Sequence, residues 1–154
     1  MPGILIIAHA PLASALCACA VHVFGRQPQR LETLDVDSAA DPQQLLQQAG
    51  AAVERLAGED REVLVLADTA GATPCNAACR LLAATGTSAR VRLLGGVNLP
   101  MLLRALCYQH EALEQLVARA LEGGRRAIVE IDALAAASAT TGCAQHPSCP
   151  ESNC

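Results

Sequence analysis

The chain has 154 residues, 52% of them hydrophobic but only 1% aromatic, and a formal net charge of −4. That length fits one domain with a core of Leu, Val, Ile and Ala. The scarcity of rings and the scattered arginines exclude a base-stacking platform and a basic phosphate-backbone stripe, so no nucleic-acid partner is expected.

All 11 basic residues are arginine. This removes a phosphate-loop lysine, a lysine Schiff base to pyridoxal phosphate and a kinase strand lysine. No Gly-x-Gly-x-x-Gly opens a helix, so a dinucleotide fingerprint is missing and no cofactor is expected. No apolar run reaches membrane-spanning length and no charged-then-apolar leader starts the sequence, which makes the cytoplasm the expected compartment.

Residues 3–8 are a glycine and a continuous apolar run, the pattern of a strand buried on both faces in a parallel sheet. The run ends at His9, and Pro11 suits the first turn of the helix that follows. Leu12, Leu16, Cys19 and Val23 are spaced to form that helix's inner face, and Gly25 stops it. Residues 30–35 read as a short alternating strand. Asp41-Pro42 is a helix start, with Asp as cap and Pro in the first turn. Leu45, Leu46, Ala49, Val53 and Leu56 continue its stripe to Gly58.

Residues 62–68 form the third strand, again an apolar run ending in a polar residue, Asp68. A turn leads to a helix capped by Thr73 and carrying Ala77, Ala78, Leu81 and Leu82. Residues 91–94 are a fourth strand, followed by the loop Gly95-Gly96-Val97-Asn98 and a helix opened by Pro100 through Leu103 and Leu106. A second helical run covers 111–121 and stops at Gly123-Gly124. Residues 127–131 read as a last strand. The alternation predicts an α/β fold: a doubly wound, mostly parallel sheet with helices on both faces and right-handed crossovers.

In such a sheet the carboxyl ends of strands one, three and four lie side by side, so His9, Asp68 and Asn98 converge on one edge at a switch point. A carboxylate bonded to one imidazole nitrogen fixes the tautomer, leaves the other nitrogen to attack, and favours the charge the ring gains. Thr69, Gly71, Ala72 and Thr73 open a helix whose free N–H groups and positive dipole end suit an anion. The set fits phosphohistidine formation. Acyl transfer is served less well, since Ser14 and Cys17 lie inside the first helix and no nucleophile elbow is present. Each part also has a plainer reading. His9 can simply fill a βα turn, Asp68 can cap the next one, Thr73-Pro74 is an ordinary helix start, and Gly95-Gly96 is ordinary turn chemistry.

Taken together, residues 4–12, Val65-Leu66-Ala67-Asp68-Thr69 with Gly71, Thr73-Pro74-Cys75-Asn76-Ala77-Ala78, and Gly95-Gly96-Val97-Asn98-Leu99-Pro100-Met101-Leu102 have a family likeness. In order and spacing, over about residues 3–131, the chain resembles the enzyme IIA component of the mannose family of the bacterial phosphoenolpyruvate:sugar phosphotransferase system. The resemblance implies that His9 accepts a phosphoryl group from the carrier protein HPr and passes it to a histidine of a IIB component. It implies that Asp68 orients His9, that Asn98 belongs to the loop beside the site, and that the chain is a homodimer whose last, antiparallel strand (127–131) crosses to the partner. Relatives often carry two glycines and a serine in the phosphate turn, where this chain has Gly71-Ala72-Thr73, and a glycine after the histidine, where it has Ala10-Pro11. The sequence is too short to add a IIB domain, so a separate IIB protein is expected. The alternative is a regulatory protein whose His9 phosphorylation is itself the signal.

The domain is expected over residues 1–132, with 133–154 a disordered tail of Ala, Ser, Thr and Pro. Cys17, Cys19, Cys75, Cys79 and Cys107 fall in predicted helices as small apolar residues. Cys143, His146, Cys149 and Cys154 are of zinc-ligating type, but their spacing matches no standard finger, and a reduced tail without metal is the preferred reading.

Overall fold

The side chains of Ile4-Leu5-Ile6-Ile7-Ala8 are all buried, in the middle of the strand β1 (Gly3–His9). The computed structural model describes residues 1–83 and 89–131. After β1 come α1 (Leu12–Phe24), β2 (Leu31–Val36), α2 (Pro42–Ala57), β3 (Glu62–Ala67), α3 (Thr73–Ala83), β4 (Arg90–Leu94), α4 (Leu99–Cys107) and α5 (Leu113–Arg126). The strands form one sheet in the order β2-β1-β3-β4, and every pairing is parallel.

Strand alternation sorts the core into two layers. Ile4, Ile6 and Ala8 of β1 join Leu64 and Leu66 of β3 under α1, α4 and α5. Leu5 and Ile7 join Val63, Val65 and Ala67 under α2 and α3. Helices therefore cover both faces, as the sequence predicts. Burying each Leu or Ile contributes roughly 1.5–3 kcal/mol. A one-residue slip would turn each of these side chains to the opposite layer, so the core fixes the register. Ile7 of β1 pairs with Ala67 of β3, so His9 and Asp68 leave neighbouring central strands at the same end.

The helix starts follow local chemistry. Asp41 caps α2 by accepting the Gln44 N–H at 2.9 Å, with Pro42 in the first turn. Asn98 caps α4 by accepting the Met101 N–H at 3.0 Å. Gly25 ends α1 in the left-handed conformation.

Two expectations are corrected. The inner face of α1 is Ala13, Leu16 and Ala20, while Leu12 and Val23 are exposed. Apart from Ser14 and His22 this helix is apolar all round, so periodicity could not choose a face, and the small alanines let it approach the sheet closely. Next, α5 does not stop at Gly123-Gly124 but runs through both to Arg126. A Cβ on Gly124 would lie 2.8 Å from Met101 Cε, and one on Gly123 would lie 2.7 Å from Arg104 Cβ. The glycines let α5 press against α4 instead of ending the helix. Residues 127–131 lie outside the sheet, whose strands among the described residues are all parallel. Ile128, Val129 and Ile131 are 79%, 65% and 73% exposed, and the edge of β4 lacks a neighbouring strand. Of the stripe predicted for α3, Ala77 and Ala78 are buried, whereas the side chains of Leu81 and Leu82 lie outside those described, as does the tail with Cys143, His146, Cys149 and Cys154.

Candidate functional site

His9 is the last residue of β1, and Asp68 directly follows β3. Asp68 Oδ2 accepts the His9 backbone N–H at 3.0 Å and meets His9 Nδ1 at 2.6 Å. The other oxygen, Oδ1, accepts the Thr69 N–H at 2.7 Å. The Asp68 side chain is 9% exposed and the His9 side chain 50%. Burial pushes the Asp68 carboxyl up, but the hydrogen bonds from the His9 N–H, the His9 ring and the Thr69 N–H, with the charge of the ring, outweigh it and hold the group below the usual carboxylate range. The carboxylate is thus ionised and held on three sides. With Nδ1 engaged, Nε2 is the ring nitrogen left to bond an incoming atom.

The turn after Asp68 is closed by its own bonds. Ala72 N–H donates to Thr69 O at 3.2 Å, and the Asn76 amide donates to Gly71 O at 3.0 Å. Gly71 takes φ +83°, where a Cβ would be strained. This corrects the expected anion cradle. The N–H groups of Thr69 and Ala72 are already used, and the Thr73 hydroxyl is exposed.

The loop after β4 is tied to the same edge, with Gly96 N–H on Asp68 O and Val97 N–H on Ala67 O, both at 2.9 Å. The Asn98 side chain bonds to α4 and α5. Its oxygen caps α4, and its amide nitrogen donates to Gly124 O at 3.3 Å. Its side chain is spent joining α4 to α5.

Sequence reasoning passed over Asp35. Its Oδ1 accepts the N–H groups of Ala13 at 2.9 Å and Ser14 at 3.2 Å, so the cap of α1 comes from β2 and not from Pro11. The only signal was an acid near the end of a strand next to the first one. Among the described residues no group of three or more His, Cys, Asp or Glu side chains is placed to hold a metal.

With this geometry in hand, the family model EIIA-man, described as PTS system fructose IIA component, matches residues 3–121. The chain belongs to this family. As an EIIA-man chain it is 30% identical over 133 residues to the PTS system mannose-specific EIIAB component of Escherichia coli K12. That match takes in 85% of this chain but 40% of the relative, so the EIIA-man chain spans less than half the length of the curated relatives it matches. Its fold is that of the mannose/sorbose specific IIA subunit from Enterococcus faecalis, with TM-score 0.73, 24% identity, and 85% of this chain and 95% of the other covered. The EIIA component from Streptococcus agalactiae superposes with TM-score 0.72 at 23% identity, covering 84% and 97%. No helix of the EIIA-man chain is long and apolar enough to cross a membrane, among the described residues.

Proposed function

We propose that this chain is a phosphoryl-transfer component of the phosphotransferase system, taking a phosphoryl group from phospho-HPr on His9 Nε2 and handing it to a IIB component for sugar uptake. The observation that carries the reading is the 2.6 Å contact between His9 Nδ1 and Asp68 Oδ2, which leaves the half-exposed ring with Nε2 free.

In the step itself, the Nε2 lone pair attacks phosphorus, a new N–P bond forms, and the N–P bond of the donor breaks with its electron pair returning to the donor imidazole. The Nδ1 proton stays on His9. Asp68 steadies the positive charge that the ring acquires, at a position where it is already ionised. In this reading the N–H groups of Ala70, Gly71 and Thr73 and the Thr73 hydroxyl take the phosphoryl oxygens as charge spreads onto them. The reverse sequence delivers the group to the next histidine.

The chain also acts as a homodimer in this reading. Three exposed β-branched residues in 127–131 and the unpaired edge of β4 supply the two halves of an exchanged strand. HPr and IIB are protein partners drawn to the His9 edge of the sheet.

Incubation with phosphoenolpyruvate, enzyme I and HPr tests the reading. An acid-labile, base-stable phosphate should appear on the chain and vanish in His9→Ala. Phosphate that persists in His9→Ala, or none on the native chain while HPr itself is phosphorylated, overturns it.

A further inference from the structure

Beside the phosphate turn, on the side away from α1, a cleft of about 530 Å³ opens between the start of α2 and the first turns of α3. Its volume lies within the range of small-molecule sites, roughly 300–1,000 Å³. The lining divides by chemistry. Pro42, Leu45 and Ala77 give apolar walls, while Thr73, Asn76 and Arg80 bring hydrogen-bond donors. Among the described residues no carboxylate lines it. The nearest acid in sequence, Asp41, has its Oδ2 engaged by the Gln44 N–H.

Arg80 is the decisive member. Most other arginines of the described chain are paired: Arg55 with Glu32, Arg61 with Glu54, Arg90 and Arg92 with Glu114, Arg119 with Glu111, and Arg126 with Glu122. Arg80 has no carboxylate partner among the described residues and borders the cleft. A guanidinium at the mouth, two neutral donors and an apolar wall are complementary to an anion carrying hydrocarbon.

We propose that this cleft is a second ligand site, separate from His9, for a small organic anion: a phosphate or carboxylate joined to a short apolar body. Arg80 takes the charged end in a forked contact, the Thr73 hydroxyl and the second Asn76 N–H complete its bonding, and the body lies on Pro42, Leu45 and Ala77. Because Thr73 belongs both to the cleft and to the turn that follows Asp68, an occupant sits directly against that turn.

The whole chain is titrated with phenyl phosphate, inorganic phosphate and phenol, with binding followed by amide NMR. Protection of thiols from iodoacetamide locates the ligand, since Cys79 lines the cleft while Cys19, exposed on α1, serves as the internal control. Phenyl phosphate should bind at least tenfold more tightly than either fragment and slow alkylation of Cys79 but not of Cys19. Arg80→Gln and Arg80→Glu, both at an exposed position, should weaken it at least tenfold, and His9→Ala should leave it within twofold. The proposal is overturned if phenyl phosphate binds no better than inorganic phosphate, if Cys79 is not protected, if Arg80→Gln binds as tightly as the native chain, or if His9→Ala abolishes binding. None of these readouts needs phosphoryl transfer, so they stand or fall apart from the function proposed for His9.

Discussion

Replacing Asp68 with asparagine changes one oxygen for an amide nitrogen in a group that holds three donors. In the native arrangement Oδ2 takes the His9 N–H and meets Nδ1, while Oδ1 takes the Thr69 N–H. Asparagine can serve only one side. If its oxygen faces His9, its NH₂ meets the Thr69 N–H, donor against donor. If its oxygen faces Thr69, the NH₂ donates to Nδ1 and forces the proton onto Nε2, the nitrogen proposed to attack. Either arrangement also loses the negative charge that steadies the phosphorylated ring. A bond to a charged group contributes about 1.5–3 kcal/mol and an unsatisfied donor costs about 1–3 kcal/mol. Part of that cost falls equally on ground and transition states, so a barrier increase of about 1–3 kcal/mol follows, a slowing of roughly 5- to 150-fold. Rapid-quench measurement of single-turnover transfer from radiolabelled phospho-HPr reads it directly, with circular dichroism to show that the variant is folded. Transfer by a folded Asp68→Asn variant at a rate within twofold of native would refute the orienting role.

The same carboxyl gives a pH signature. Its folded pKa is depressed, so its stabilising contribution is fully present above the unfolded value of about 3.9 and is lost as pH falls through the folded value. The gap in urea midpoint between native and Asp68→Asn chains should be full at pH 6 and should narrow below about pH 4; a gap that widens on acidification contradicts the sign. Gly3→Ala would drive a Cβ to 2.5 Å from Leu56 O and 2.6 Å from Leu56 Cβ, so thermal or urea melts should show a loss of about 1–3 kcal/mol. Asp35→Ala, which uncaps α1 from across the sheet, should cost about 1 kcal/mol by the same measurement. Lysine at both Ile128 and Ile131 should convert a dimer to a monomer by light scattering, without loss of helical signal; a native chain that is monomeric at high concentration counts against the exchanged strand.

What the amino-acid order determined by itself is whatever one element decides alone. The unbroken apolar runs of β1 and β3 marked central parallel strands, because no face of theirs meets water. Their ends at His9 and Asp68 marked the candidate site's edge. Asp41-Pro42 and Pro100 marked helix starts, because a cap or a first-turn proline acts within four residues. The tertiary structure decided whatever depends on a neighbour. Only packing chose Ala13, Leu16 and Ala20 as the inner face of an apolar helix, and only the closeness of α4 turned Gly123-Gly124 from a stop into a contact. Asp35 caps a helix it is distant from in sequence because β1 and β2 pair, and the Asn98 amide reaches Gly124 O only because α4 packs on α5. Residues 127–131 carry the β-branched residues of a strand, yet a strand exists only when another chain edge accepts its hydrogen bonds, and among the described residues none does.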